Sequence, residues 1–384
     1  METSKRKPIY LDYNASTPID PEVTKGMLPF LRKDFGNPSS GHAYGEIPRD
    51  AIARARVQVA KLIGAKSEEV IFTSCGSESD NHAILGAAFA NMAKGNHIIT
   101  SIIEHPAVLE ACRYLERNFH FRITYLPVDR FGLVAPKTVA DAITDETILI
   151  SIMHANNEIG TVEPIEEIGR IANECDILFH TDAAQSCGKI KVAVRKMGVD
   201  LLTIAGHKLY APKGVGGLYI RDGTDIHSFI HGGGQEKGRR AGTENVPYVI
   251  GLGIACEIAG RFLPAFIPRI SDLRDRLHTG IEEGLGVDRI RLNGHPERRL
   301  PNTLNISIRG TVGEELLSRI PEVAASTGSA CHSGSLKPSN VLLETGLSKE
   351  DALGALRLSL GRYTTESEID TASDLIIKRA LEVK

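Results

Sequence analysis

LLTIAGHKLYAPKGVGGLYI, residues Leu201–Ile220, holds two short apolar runs around a polar, glycine-bearing turn. Leu201–Ile204 and Gly217–Ile220 read as strands, and Lys208 stands in the turn that follows the first of them. Lysine is among the least buried residues, and its ordinary place is a solvated surface. Here Gly206 and His207 precede it and the GVGG run, Gly214–Gly217, follows, which lets the backbone approach a ligand closely. A lysine whose pKa is lowered by such a pocket can bond covalently to an aldehyde cofactor.

Outward from this turn the chain alternates short apolar runs with helical stretches. Strands are predicted at Val70–Thr73, His97–Ser101, Arg122–Pro127, Thr147–Met153 and Ile177–Thr181, and helices at Glu78–Met92 and Pro106–Arg117. Strand–helix repetition implies a mainly parallel sheet covered on both faces, an α/β fold. Ligands of such sheets sit beyond the carboxyl ends of the strands. Polar segments fall at those ends: Ser74–Glu78, Glu104–His105, His154–Gly160, Asp182–Gln185 and Gly206–Lys208. Beyond about Gly260 the texture changes. Pro264 and Pro268 predict a break, followed by a charged helix Ile270–Leu285, strands near Arg289–Leu292 and Thr303–Ile308, and helices near Lys349–Leu356 and Glu366–Leu381. The expected organisation is a large cofactor-binding domain over residues 16–260 and a smaller α+β domain made of residues 1–15 and 261–384.

The strand ends offer what pyridoxal phosphate requires: a lysine for its aldehyde, an acid for its pyridine nitrogen, a flat group over its ring and donors for its phosphate. Lys208 is the amine. Asp182 can keep the pyridine nitrogen protonated, because an opposite charge favours the charged form. His105 can stack on the ring. Gly76 and Ser77 open a helix, whose free amides and dipole favour a phosphate. Gln185 and Asn157 are uncharged donors suited to the ring hydroxyl oxygen.

Bulk composition narrows the function classes. The 384 residues carry a formal charge of −3, which supports neither a nucleic-acid nor an anionic-membrane partner. No run of about 18 apolar residues predicts a membrane span, and Met1–Pro8 lacks the apolar stretch of a secretory signal. The six cysteines form no C-x-x-C pair, which argues against zinc, and their scatter fits a reducing cytosol. Five are expected in apolar or helical surroundings as small core residues. The sixth, Cys331, lies in STGSACHSGS (Ser326–Ser335), a polar loop with little to pack and a suitable home for a reactive thiol.

Nearly end to end, the sequence resembles the cysteine desulfurase family, NifS- and IscS-like, within the class V branch of fold-type I pyridoxal-phosphate enzymes. The resemblance is carried by YLDYNASTP (Tyr10–Pro18), GNPSS (Gly36–Ser40), FTSCGSESDN (Phe72–Asn81), EHPAV (Glu104–Val108), HANNEIG (His154–Gly160), DAAQS (Asp182–Ser186), GHKLYAPKG (Gly206–Gly214), HGGGQEKGRRAGTEN (His231–Asn245), STGSACHSG (Ser326–Gly334) and LRLSLGRYTTESEID (Leu356–Asp370). It implies a large domain built on a mainly parallel seven-stranded sheet. It implies that Lys208 carries the cofactor, His105 stacks on it, Asp182 meets the pyridine nitrogen, and Asn157 and Gln185 contact the ring hydroxyl. Gly76, Ser77 and His207 would bind the phosphate, with Thr243 supplied by the other subunit of a homodimer. Asn37 and Arg357 would bind the substrate carboxylate, and Cys331 would be the nucleophile on a mobile loop.

The implied reaction removes sulfur from L-cysteine, leaves alanine, and passes a persulfide to a protein acceptor in the cytoplasm, as in iron–sulfur cluster biogenesis. Selenocysteine lyase and a non-catalytic sulfur-relay partner are the competing readings. Three departures from the family pattern stand out. Ala205 replaces a frequent serine ligand of the phosphate, Cys75 replaces a frequent glycine, and the sequence ends at Lys384, short of a tail with which housekeeping members dock a scaffold protein.

Overall fold

The computed structural model describes residues 7–328 and 337–382. Twelve strands are formed: β1 (Ile9–Tyr10), β2 (Val70–Thr73), β3 (His97–Ser101), β4 (Arg122–Leu126), β5 (Thr147–Ser151), β6 (Leu178–Asp182), β7 (Leu201–Ala205), β8 (Gly216–Ile220), β9 (Ile290–Leu292), β10 (Thr303–Ile308), β11 (Val323–Ala324) and β12 (Ala355–Ser359). Seven of them make one sheet in the order β2-β8-β7-β6-β5-β3-β4. Only β8 runs against the rest, pairing antiparallel with both β2 and β7. The carboxyl ends of β2, β3, β5, β6 and β7 therefore share one edge, and β8 starts from it.

The strands are continuous apolar runs because both faces of the sheet are covered. On one face Ile150, Phe179, Ile204 and Tyr219 meet Val59, Ile63 and Leu252. Helices α1 (Pro21–Arg32) and α2 (Ala43–Ile63) pack there against a 40-residue helix, Val246–Leu285. On the other face Leu149 and Leu218 meet Ile84 and Leu115 of α3 (Gly76–Asn91) and α4 (Pro106–Phe119). Each such buried aliphatic side chain contributes roughly 1.5–3 kcal/mol of transfer free energy.

A second core joins Leu11, Ile270, Leu277, Ile306, Leu358 and Ile376. It is built around the antiparallel sheet β12-β10-β9. The N-terminal segment links the two cores. β1 pairs in parallel with β11, Asp12 bridges to Ser359, and Thr17 N donates to His207 O at 2.9 Å.

Two expectations are corrected by the fold. No break occurs at Pro264 and Pro268; the helix runs through both, on a stretch where the two prolines are exposed and water can take the carbonyls they leave unpaired. The helix predicted to end near Leu356 stops at Leu353, before Gly354, and Ala355–Ser359 is instead a fully buried strand. The helix Val246–Leu285 is long and apolar enough to span a membrane by composition alone, but half of its most apolar window is buried inside the protein, as in a core helix. The cysteine reading holds for Cys112, Cys187 and Cys256, which are buried, and fails for two others. Cys175 caps a helix end and is exposed, and Cys75 is half-buried.

Candidate active site

Lys208 closes a short helical turn, Gly206–Lys208, directly after β7. Its Nζ donates to the main-chain oxygens of Asn14 at 2.6 Å and Ala15 at 2.9 Å. Burial lowers its pKa to about 8, and the nearby Arg357 guanidinium adds to that, while Asp182 and Asp12 oppose it. At pH 7 an amine of this pKa is neutral, and so able to act as a nucleophile or base, in a far larger fraction than a surface lysine.

Asp182 is the last residue of β6 and is buried. Its Oδ1 accepts from Ala184 N at 2.8 Å. Burial raises its pKa, and His105 and Lys208 pull it back. His105 caps α4, with Nδ1 accepting from Ala107 N at 3.1 Å, so the neutral ring carries its proton on Nε2. Burial lowers its pKa, against the field of Asp182.

Behind Asp182 lie two further buried acids. Glu104 accepts from Ser101 Oγ at 2.7 Å and Met153 N at 2.9 Å, and burial pushes it up to about 8. Asp80 is pushed well above the usual carboxylate range by burial and by Asp182, and its Oδ1 has no hydrogen-bond partner.

Gln185 Nε2 donates to Asn14 O at 3.0 Å, beside Lys208. The main-chain oxygen of Asn157 accepts from Arg357 Nη1 at 3.3 Å. Arg357, on β12, is buried; its Nη2 donates to Asp12 Oδ1 at 2.8 Å, and its Nε has no hydrogen-bond partner among the described residues. His207 sits near Ser16, Nδ1 to Oγ 3.4 Å, and burial with the Lys208 charge lowers it to about 4, so its ring is neutral at pH 7. At the head of the 16-residue α3, no side chain caps the first turn, and Gly76 and Ser77 leave their amides open there. A Cβ on Gly76 would stand 3.2 Å from Ala205 Cβ, so Ala205 forms the floor of this helix end and supplies no donor to it.

Lys208, Asp182, His105, Gln185, Asn157 and His207 thus gather along one edge of the large sheet, and Arg357 reaches them from β12 of the small sheet. Thr243 and Asn37 do not join them within the chain. Thr243 is exposed on the loop 231–245 and hydrogen-bonds to none of them, and Asn37 Oδ1 accepts from Ser39 N at 2.9 Å in its own loop. Cys331 lies outside the described residues. Its segment leaves from Ser326, whose oxygen accepts from Arg357 N at 2.6 Å.

Sequence reading missed Asp12 and Asn14 as site residues, although both lie in the quoted YLDYNASTP stretch. It also missed Glu158, whose buried carboxyl is raised to about 7 by burial and accepts from Ser339 Oγ. Lys189 was missed too, and no motif marks it.

The side chains fit pyridoxal phosphate. A buried Asp182 whose charge burial disfavours calls for a cation such as a protonated pyridine nitrogen, an uncapped helix end can take a phosphate, and a buried amine stands ready for an aldehyde. Fold and site together define a fold-type I, pyridoxal-phosphate-dependent enzyme.

The sequence model of the aminotransferase class-V family matches residues 9–371, and the chain belongs to that family. It is 52% identical to "Cysteine desulfurase IscS" of Dictyoglomus turgidum, over 98% of this chain and 95% of that protein. It is 49% identical to the protein of the same name from Methanosarcina thermophila, over 97% and 92%. Among solved structures, a "NifS-like protein" superposes with a TM-score of 0.90 at 37% identity, over 97% of this chain and 98% of that one. "SspA in complex with cysteine" does so at 0.79 and 39%, over 93% and 99%.

Proposed function

We infer that the chain is a cysteine desulfurase. It converts L-cysteine and the Cys331 thiol into L-alanine and a Cys331 persulfide, then hands the terminal sulfur to a protein acceptor. The observation that carries this reading is the near-neutral Lys208 amine held between Asp182 and Arg357. Bound pyridoxal phosphate would act as an electron sink at the substrate α-carbon, held by Lys208, Asp182, His105, Asn157, Gln185, His207, Gly76 and Ser77.

Arg357 binds the substrate carboxylate by its fork and turns the α-carbon toward Lys208. Asn37 assists it. Lys208, freed as a neutral amine, takes the α-proton. Asp182 stays ionised opposite a cation and stabilises it. His105, with its proton on Nε2, serves as the nearby shuttle to the substrate.

Cys331 thiolate attacks the substrate sulfur. The new S–S bond forms as the Cβ–S bond breaks, the bonding pair goes to the substrate carbon, and that carbon is then protonated to give alanine. Thiol and cysteine enter, persulfide and alanine leave, and no external oxidant is needed.

The organisation is a large domain, residues 16–260, and a small one, residues 1–15 and 261–384, that carries the cysteine. A homodimer would bring Thr243 of one subunit to the phosphate site of the other. The enzyme is a soluble, cytoplasmic sulfur donor of the kind used in iron–sulfur cluster biogenesis.

Cys331→Ser tests this reading. It should keep the cofactor's visible absorbance and lose sulfide release from L-cysteine by at least about a hundredfold. Lys208→Ala should hold the cofactor only non-covalently. A Cys331→Ser protein with full activity would overturn the nucleophile assignment.

A further inference from the structure

Lys189 is a buried amine outside the machinery described above. It follows Gly188 in the turn after β6 and is 5% exposed. Among the described residues no carboxylate pairs with it. Its Nζ meets two amide oxygens, Gln185 Oε1 at 2.7 Å and Asn14 Oδ1 at 3.1 Å. Burial lowers its pKa well below the usual lysine range, and the charges of Lys208 and Arg357 lower it further. Burying an amine among like charges is costly, so its contacts need an account.

Those contacts determine which way two amides point. Asn14 Nδ2 donates to the main-chain oxygen of Asn157 at 3.2 Å and to Thr303 Oγ1 at 2.8 Å, so its oxygen end must face Lys189 and Asn302, whose Nδ2 donates to it at 3.0 Å. Gln185 Nε2 donates to Asn14 O, an oxygen it shares with Lys208 Nζ. The oxygen end of Gln185 then has Lys189 as its donor.

We propose that Lys189 is a positioning residue: by holding the side-chain oxygens of Gln185 and Asn14, it keeps the donor end of Gln185 turned toward the Asn14 main-chain oxygen that also accepts from the reactive amine of Lys208. This rests on the functional reading above, in which Gln185 donates to the cofactor's ring oxygen. Without Lys189, the Gln185 amide has a buried acceptor with no donor, and rotating it would present an acceptor to an acceptor.

The test titrates cofactor-free protein with pyridoxal phosphate and follows the visible absorbance, alongside thermal melting without cofactor. Lys189→Met should weaken cofactor binding about tenfold, the loss of about one hydrogen bond. It should melt at or above wild type, because a buried amine among cations is replaced by an apolar chain of similar length. Lys189→Gln, which keeps an N–H donor, should bind within about threefold of wild type. In a Gln185→Met background, Lys189→Met should cost less than about twofold more, since the two residues act as a unit.

Unchanged affinity in Lys189→Met would overturn the proposal. So would an equal loss in the Gln185→Met background, a loss of affinity with a matching drop in melting temperature, or failure of Lys189→Met to fold, which would make the residue structural. Wild-type protein that takes up no pyridoxal phosphate would instead overturn the functional reading itself.

Discussion

Lys208 shows what a few ångströms of burial do to a single side chain. Its folded pKa of about 8 lies below the ordinary lysine value of 10.5, so between these values the unfolded chain binds more protons than the native one. Stability from this group therefore rises as pH climbs through that window, and the burial penalty is fully present below pH 8. In cofactor-free protein, covalent trapping of Lys208 by a small aldehyde and a reductant should show a midpoint near pH 8. A midpoint above pH 10 would mean the amine is solvated. At this scale Lys208, Asp182 and His105 were legible in advance because each follows a recognisable strand. Asp12, Asn14, Glu158 and Lys189 were not, because each has a partner far along the chain: Asn14 meets Lys208 and Lys189, Asp12 meets Arg357, and Glu158 meets Ser339.

Among elements, the loop 231–245 is anchored by Arg240, which pairs with Glu78 of α3 at 2.9 Å, and by Glu236. Glu236 is buried, holds φ at 47°, pairs with Arg56 of α2 at 2.6 Å and accepts from Phe72 N of β2 at 3.1 Å. The guanidinium also lies 4.7 Å from the Phe72 ring centre. Arg56→Met leaves a buried carboxylate without its cation and should cost about 3 kcal/mol in urea unfolding. A change under about 1 kcal/mol would show that Phe72 N suffices to hold the charge. Strand positions in the large sheet were legible to within two residues, since their apolar runs are bounded by polar turns. The small domain was harder. Ala355–Ser359 follows a short helix closely, and nothing local separates a buried strand from one more helical turn.

For the whole molecule, Asp80, Glu104 and Asp182 are buried near one another; burial raises the pKa of each, and repulsion by Asp182 adds to this for Asp80 and Glu104. A ligand that brings a cation to Asp182 and an anion to the head of α3 binds the native state alone. Pyridoxal phosphate should therefore raise the melting temperature in a concentration-dependent way, adding about 2.7 kcal/mol of unfolding free energy at a hundred times its Kd. Scanning calorimetry across a cofactor series checks this; a melting temperature that ignores the cofactor would deny it a place at this edge.

The amino-acid order alone determined the alternation of strand and helix, the polar ends where a ligand sits, and the lysine, acid and histidine that head the chemistry. These follow from local periodicity and from which residue types a sheet edge tolerates. Only the tertiary structure decided that residues 9–17 run from the small sheet to the Lys208 turn. It also decided that β8 reverses within the sheet and that Lys189 stands behind Gln185. Each rests on at least one contact between segments more than a hundred residues apart, Thr17 with His207, β2 with β8 and Lys189 with Asn14, and no pattern within a single segment records them.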